Sequence, residues 1–328
     1  MHKFLSVFIP ACRANTFAIF SFFLLIMPTI ERNRIQKIVA PKQEETEKIG
    51  FLVTGERAPY LNSAQLAVDE TNALGGLLGT PVELVSLLNI EASLPLSIQT
   101  AEDMILKAGV IAIIGPNRST HAVEVGAIAQ RHGVPMITTA ASNPNVTKAG
   151  EFVFMASVTD IFQSRVMAQF AIEELGVTTL ALLTLSGDVY TEGISEFFAS
   201  NLSEFGGEIV ANAFYERGTT DFTAQLTDIA ATQPDAFFIS SFSQDIGTIT
   251  QQARTIPLQN AAGTPTLFLG GDTWDNEVLL ANEDAKVEGS FFTTHFSPNT
   301  AEPTARAFID TYQSMYGEVP TGGIAVAY

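Results

Sequence analysis

VIAIIGPNRSTHAVEVGAIAQRHGVPMITTAASNPNVT, residues Val110–Thr147, is the stretch on which the fold turns. Val110–Ile114 is an unbroken, largely β-branched run and reads as a buried parallel strand. It stops at Gly115–Pro116. Ser119–His132 reads as a helix ended by Gly133, and Pro135–Thr138 as the next strand. Thr139–Ala140–Ala141–Ser142–Asn143–Pro144 follows as a loop of small residues. Short connections of this kind place both loops at the carboxyl edge of a parallel sheet, where open α/β sheets hold ligands. Ser119 has two readings. As an N-cap, its hydroxyl satisfies an orphan backbone N–H. As part of an anion site, it joins the free N–H groups and partial positive charge of the helix start.

The same rhythm runs outward in both directions. Upstream, Lys48–Val53 reads as a strand, Asn62–Leu74 as a helix stopped by Gly75–Gly76, and Val82–Leu87 as a strand. Ser97–Ala108 reads as a helix with Ser97 as a candidate N-cap. Downstream, helices are expected at Gln163–Leu175, Thr191–Phe205, Asp221–Ala231 and Ile246–Arg254. Strands are expected at Thr179–Thr184, Glu208–Ala213, Ala236–Ile239 and Thr266–Leu269. A (β/α)8 barrel and a pair of doubly wound sheets both fit this alternation. The rhythm breaks at FVFMASVTDIFQ, Phe152–Gln163, and again at EGSFFTTHF, Glu288–Phe296. Two crossings around a complete α/β unit favour two doubly wound parallel-sheet lobes with a ligand cleft between them. The expected division is 1–46 as leader and linker, 47–160 plus 291–328 as a discontinuous first lobe, and 161–290 as an inserted second lobe.

Composition narrows the function. The chain has 328 residues, enough for two cores, and its 46% hydrophobic content excludes disorder. A net charge of −18 repels phosphate backbones, so nucleic acid is not an expected partner. The single cysteine, Cys12, rules out an intramolecular disulfide and a cysteine-based metal site. Residues 1–46 differ from the rest: six basic side chains stand against three acidic ones. Within them NTFAIFSFFLLIMPTI, Asn15–Ile30, is an uncharged, mostly apolar run behind basic residues, the pattern of an export signal. It is shorter than the ~20 residues a spanning helix prefers, and no clear cleavage site follows it, so an uncleaved tether at 14–30 is the competing reading. Either way the acidic body is expected outside the cytoplasm, periplasmic or otherwise extracytoplasmic.

Signatures of catalysis are missing. There is no GxxxxGK[ST], GxGxxG or GxSxG segment and no HExxH spacing. Ser186–Gly187–Asp188 beside Tyr190 reads as a loop rather than a nucleophile cluster, and Glu102, Glu124 and Asp235 as solvated surface charge. No enzyme activity, cofactor or metal is expected.

Eight segments, in order, resemble the branched-chain amino-acid-binding (Leu/Ile/Val-binding-like) type of ABC-transporter substrate-binding protein, a type I periplasmic binding protein. They are GPNRST (Gly115–Thr120), GVPMITTAASNPNVT (Gly133–Thr147), TDIFQS (Thr159–Ser164), GDVYTEGISEFF (Gly187–Phe198), FGGEIV (Phe205–Val210), YERGTTDFTAQLTDI (Tyr215–Ile229), PDAFFIS (Pro234–Ser240) and LGGDTW (Leu269–Trp274). The likeness runs from about Lys48 to Tyr328. It implies a protein that closes on a small polar ligand, an amino acid above all, and delivers it as a monomer to ABC permease subunits. It implies further that Ser119, Ser142 and the backbone at Ala140 hold the ligand carboxylate, and that Tyr190 and Asp272 receive its ammonium. Two hydroxyls at a helix start do suit an anion, and a carboxylate beside an aromatic face suits a cation. Tyr60 is expected as a pocket wall, whereas Trp274 and Phe242 are read first as core. The two glycines before Asp272 are read as giving the backbone a close approach to ligand. Family members run some tens of residues past Tyr328, so the resemblance implies a first lobe cut short at Thr321–Tyr328. Two alternatives stay open: the ligand-binding ectodomain of a tethered sensor, and a binder of amides, urea or carboxylates.

Overall fold

A computed structural model describes residues 46–55, 58–89 and 92–328. The expected leader, with Cys12, lies outside the described residues except for Thr46.

Two five-stranded sheets organise the chain, and every strand pair in them is parallel. The first contains β1 (Glu47–Thr54), β2 (Val82–Asn89), β3 (Ala112–Ile114), β4 (Met136–Thr138) and β5 (Val153–Met155), in the order β2-β1-β3-β4-β5. The second contains β6 (Thr179–Leu185), β7 (Glu208–Tyr215), β8 (Ala236–Ser240), β9 (Leu267–Gly270) and β10 (Phe291–Phe292), in the order β10-β9-β8-β6-β7. Read from the other edge, the second order repeats the first, so each sheet is a doubly wound unit that reverses direction beside its first strand.

The apolar runs explain why these strands are buried. All five residues of β8, AFFIS, are buried, as a parallel strand covered on both faces requires. Helices cover the first sheet on two sides. On one side α2 (Leu94–Asp103, continued by a π turn over Met104–Ala108) and α3 (Ser119–His132) build a core with Leu52, Ile113 and Met136. On the other, α1 (Ala58–Ala73) packs Tyr60 and Ala64 with Phe51 and Val53. The second sheet carries α4 (Asp160–Glu173), α5 (Val189–Glu204), α6 (Thr223–Ala231) and α7 (Ser243–Ala253) around a core of Phe198, Phe237, Phe238 and Trp274. The short α8 (Glu277–Ala281) adds Leu279 to it. The chain then returns. Phe308 and Tyr312 of α9 (Pro303–Tyr316) join Phe51 and Val53, and Ser63 Oγ donates to the carbonyl of Ile324 in α10 (Gly322–Ala325).

Local signals set the helix ends. Gly133 ends α3 in the left-handed conformation at φ 67°, and Asp188 caps α5 by accepting from the backbone N–H groups of Tyr190 and Thr191. Three expectations are corrected. Ser97 is no cap: it lies inside α2, buried, with Oγ 2.8 Å from Nδ1 of His121. FVFM is not part of a crossing, because Val153–Met155 pairs with β4 as a fifth strand. Phe291–Phe292 pairs with β9, so the return to the first sheet's helices begins after Phe292. In the last two cases a two- or three-residue edge strand carries too little periodicity to register in the sequence. The two crossings touch: Thr293 Oγ1 donates to Gln163 Oε1 at 2.8 Å.

Candidate functional site

In each sheet the strand order reverses between the first and third strands, and there the loops at the carboxyl edges part. In the first sheet Asn117 spans this point. Its Oδ1 accepts from N and Oγ1 of Thr54, at 2.8 Å each. In the second, Asp188 follows β6 and Phe242 follows β8. The carboxyl edges of the two sheets meet around a cavity of about 40 Å³, room for roughly three waters. From the first sheet's side it is lined by Tyr60, Asn117, Arg118, Ala140 and Gly323. From the second come Phe242, Asp272, Thr273, Asp275 and Asn276, and the return crossing adds Thr294 and His295.

Three of the six residues singled out in the sequence therefore line the cavity: Tyr60, Ala140 and Asp272. The others stand behind them. Ser119 and Ser142 are 1% and 0% exposed. Ser119 is the first residue of α3, and its N-cap is Arg118, which makes no side-chain cap. The capping role is thus corrected. Ser119 Oγ instead accepts from the backbone N–H of Ser142 at 3.3 Å and of Asn143 at 3.2 Å, tying the loop after β4 to the start of α3. With both lone pairs engaged, the hydroxyl hydrogen is left to donate. Tyr190 is 4% exposed and stacks loosely on Phe242 at 6.0 Å. Burial first, then the charges of Asp272 and Asp160, raise its phenol well above the usual value.

Residues the sequence reading did not single out complete the arrangement. Asp160 opens α4, three residues before the expected start at Gln163, and is 0% exposed. Neither of its oxygens has a well-formed hydrogen bond, although Ser142 and Asn143 lie close enough to lower its pKa. Burial and the neighbouring charge of Asp272 outweigh them and push it up to about 8. Asp272 Oδ2 lies 3.1 Å from Nε2 of His295, whose side chain is 2% exposed. Burial works against a charged imidazole there, but Asp272, Asp160 and Asp275 together raise its pKa. Asp275 is satisfied otherwise: its Oδ2 accepts from Thr294 Oγ1 at 2.6 Å and the N–H of Gly322 at 2.7 Å. Buried side-chain atoms without a hydrogen bond gather in the same region: Thr139 Oγ1, Ser142 Oγ, both oxygens of Asp160, Asp272 Oδ1 and His295 Nδ1. Each such atom costs about 1–3 kcal/mol, and native cores hold few of them.

Two readings of aromatic and glycine residues change. Phe242 belongs to the second core and also lines the cavity. Trp274 is core, with Nε1 donating to the Ile239 carbonyl at 3.2 Å. The glycines before Asp272 serve side chains of this protein. A Cβ at Gly270 would lie 2.0 Å from Trp274 Nε1, and one at Gly271 2.4 Å from Tyr190 Oη. Among the described residues no group of His, Cys, Asp or Glu is arranged to hold a metal ion, and no helix is long and apolar enough to cross a membrane.

The Periplasmic binding protein family matches residues 53–328. The Leu/Ile/Val-binding protein BraC3 of Rhizobium johnstonii is 29% identical over 278 residues, which are 83% of this chain and 73% of that protein. The solved leucine-binding protein LivK of Thermotoga maritima superposes with a TM-score of 0.78 at 32% identity, covering 86% of this chain and 80% of that one. The branched-chain amino acid transporter substrate-binding protein LivJ of Streptococcus pneumoniae, solved with isoleucine, gives 0.77 at 30% identity, covering 87% and 81%.

Proposed function

Because the chain belongs to the periplasmic binding protein family, we propose that it is an extracytoplasmic solute-binding protein: it captures an amino acid between its lobes and delivers it to an ABC permease. The observation that carries the amino-acid reading is the set of buried hydroxyl and carboxylate oxygens without a well-formed hydrogen bond on Thr139, Ser142, Asp160 and Asp272. Thr139 Oγ1 and Ser142 Oγ suit an anion and Asp272 Oδ1 suits a cation, the two ends of a zwitterion. In this reading Ser119, Ser142 and the backbone at Ala140 take the carboxylate. Asp272, with Asp160 beside it and Tyr190 behind, takes the ammonium, and Tyr60 walls the pocket.

A cation placed beside Asp160 and Asp272 offsets the burial and the repulsion that keep Asp160 protonated. The lobes that close are taken as 47–160 with the chain after Phe292, and 161–292. Closure is a hinge motion about the two crossings, and the ligand stabilises the closed form through contacts to both lobes. Binding and release need no covalent step, and the protein acts as a monomer.

A thermal-shift screen of the amino acids, small amides and carboxylates tests this, since a ligand of the native state raises the melting temperature by mass action. Amino acids are expected to raise it, and Asp272→Asn to weaken their binding by about 2–5 kcal/mol. A response confined to ligands without an amine, or unaffected by Asp272→Asn, would place the chain among the amide or carboxylate binders of the fold.

A further inference from the structure

The lining of the cavity is polar. Among the described residues no Leu, Ile, Val or Met side chain takes part in it. In the amino-acid reading Ala140 stands at the carboxylate end of the ligand and Asp272 at the ammonium end, so the ligand's side chain falls to the remaining wall. Two asparagines stand in that wall, one from each lobe: Asn117, between β3 and α3, and Asn276, just before α8. They are 8% and 6% exposed. Amides buried that far call for partners on their donors and acceptors.

Both amides are held in one orientation. Asn117 Oδ1 accepts from N and Oγ1 of Thr54, a fully buried residue at the end of β1. A backbone N–H only donates, so the amide oxygen must face Thr54 and cannot trade places with the nitrogen. Asn117 Nδ2 donates to the Thr54 carbonyl at 3.3 Å, which engages one of its two hydrogens. Asn276 Oδ1 likewise accepts from the Leu279 N–H at 3.0 Å, and among the described residues its Nδ2 meets no partner. The hydroxyls beside them are engaged elsewhere: Thr273 Oγ1 donates to the Ser241 carbonyl at 2.7 Å and Thr294 Oγ1 to Asp275 Oδ2 at 2.6 Å. The two amides thus leave fixed N–H donors in the wall. A hydrocarbon side chain closed against them would remove their water and return no hydrogen bond, whereas an oxygen would accept.

We propose that Asn117 is a specificity-determining residue: with Asn276 across the cleft it donates to an oxygen on the ligand's side chain, so the site takes amino acids bearing a hydroxyl or carboxamide over aliphatic ones of the same shape. This rests on the amino-acid reading above and adds to it the class of side chain. Thr54 fixes the Asn117 amide before a ligand arrives, so little side-chain freedom is lost when the bond forms.

The test is calorimetric titration of the full chain with two pairs of matched shape, L-threonine with L-valine and L-asparagine with L-leucine. In at least one pair the polar member is expected to bind at least about tenfold more tightly, because a site built to hydrogen-bond a group discriminates against the analogue lacking it. The pair that shows the preference tells whether a hydroxyl or a carboxamide is read. N117L keeps the size of the side chain and removes the amide, and in it that ratio is expected to fall towards one. A preference below about tenfold in both pairs, or a reversed one, overturns this specificity and leaves the amino-acid reading standing. An unchanged ratio in N117L overturns the part given to Asn117. Failure of every amino acid to bind overturns both readings. N117L also takes the partner from Thr54, and if it does not fold, the ranking in the unsubstituted chain decides the matter.

Discussion

Ser119 and Asp160 show how one side chain serves fold and site together. Ser119 Oγ accepts two backbone N–H groups of the loop after β4, so Ser119→Ala strands both. The expected loss is about 1–3 kcal/mol of stability, read as a lower denaturant midpoint, alongside weaker amino-acid binding. That exceeds the effect of a lost cap, and a variant as stable as the parent would show that the loop does not depend on this hydroxyl. Asp160 gives a pH signature. Its folded pKa is raised to about 8 by burial and Asp272, so the empty site carries its proton at neutral pH. An incoming ammonium favours the ionised form, so binding expels that proton. Affinity is therefore expected to rise with pH up to about 8, with close to one proton released per ligand at neutral pH. Calorimetry in buffers of different ionisation heat measures the proton count, and Asp160→Asn should reduce it, leaving the share of His295, whose pKa Asp272 also raises. The same shift acts on folding with the opposite sign. Between the ordinary carboxylate range and pH 8 the folded state holds a proton that the unfolded chain has lost, so this group destabilises the empty protein as pH rises.

At the scale of elements, the segment from β9 to the turn at Asp272–Trp274 links the second core to the cavity. Trp274 is fully buried and anchored to β8 through the Ile239 carbonyl, and this anchor fixes the backbone from which Asp272 projects. Its indole fills the space where a Cβ at Gly270 would stand, 2.0 Å from Nε1. Gly270→Ala is therefore expected to break that hydrogen bond and cost about 1–3 kcal/mol through overpacking. The melting temperature should fall and ligand affinity with it, because the turn carrying Asp272 shifts. A variant with unchanged melting would show that the indole can move aside freely.

Across the whole molecule, hydrogen bonds at the mouth of the cleft join the lobes. Thr120 Oγ1 donates to Asp188 Oδ2 at 3.0 Å and accepts from the Val189 N–H at 2.9 Å, while Asn143 Nδ2 donates to the Val189 carbonyl at 2.9 Å. These contacts bring the start of α3 to the start of α5. Thr120→Val keeps the side chain's shape and removes both of its bonds. The closed form should become less populated, with a larger radius of gyration by solution scattering in the absence of ligand. Affinity should fall by about tenfold, since it scales with the population of the binding-competent state. Equal radii for the two proteins would show that closure does not rest on this contact.

The sequence by itself determined the alternation of short apolar strands with helices. Those signals are local: a β-branched run such as VIAII makes a strand, and Gly133 stops a helix wherever the segment sits. The series of motifs from Gly115 to Trp274 carried the resemblance, and it was through that resemblance that Tyr60, Ala140 and Asp272 were legible as candidates. Tertiary structure alone decided which polar groups lose their water. Nothing in the local sequence marks Asp160 or His295, which the two crossings, joined through Gln163 and Thr293 at 130 residues' separation, enclose beside Asp272. Burial is a property of everything packed around a group, so the protonation of Asp160, the pairing of His295 and the placement of Arg118 over Phe242 could be read only once both lobes were in place.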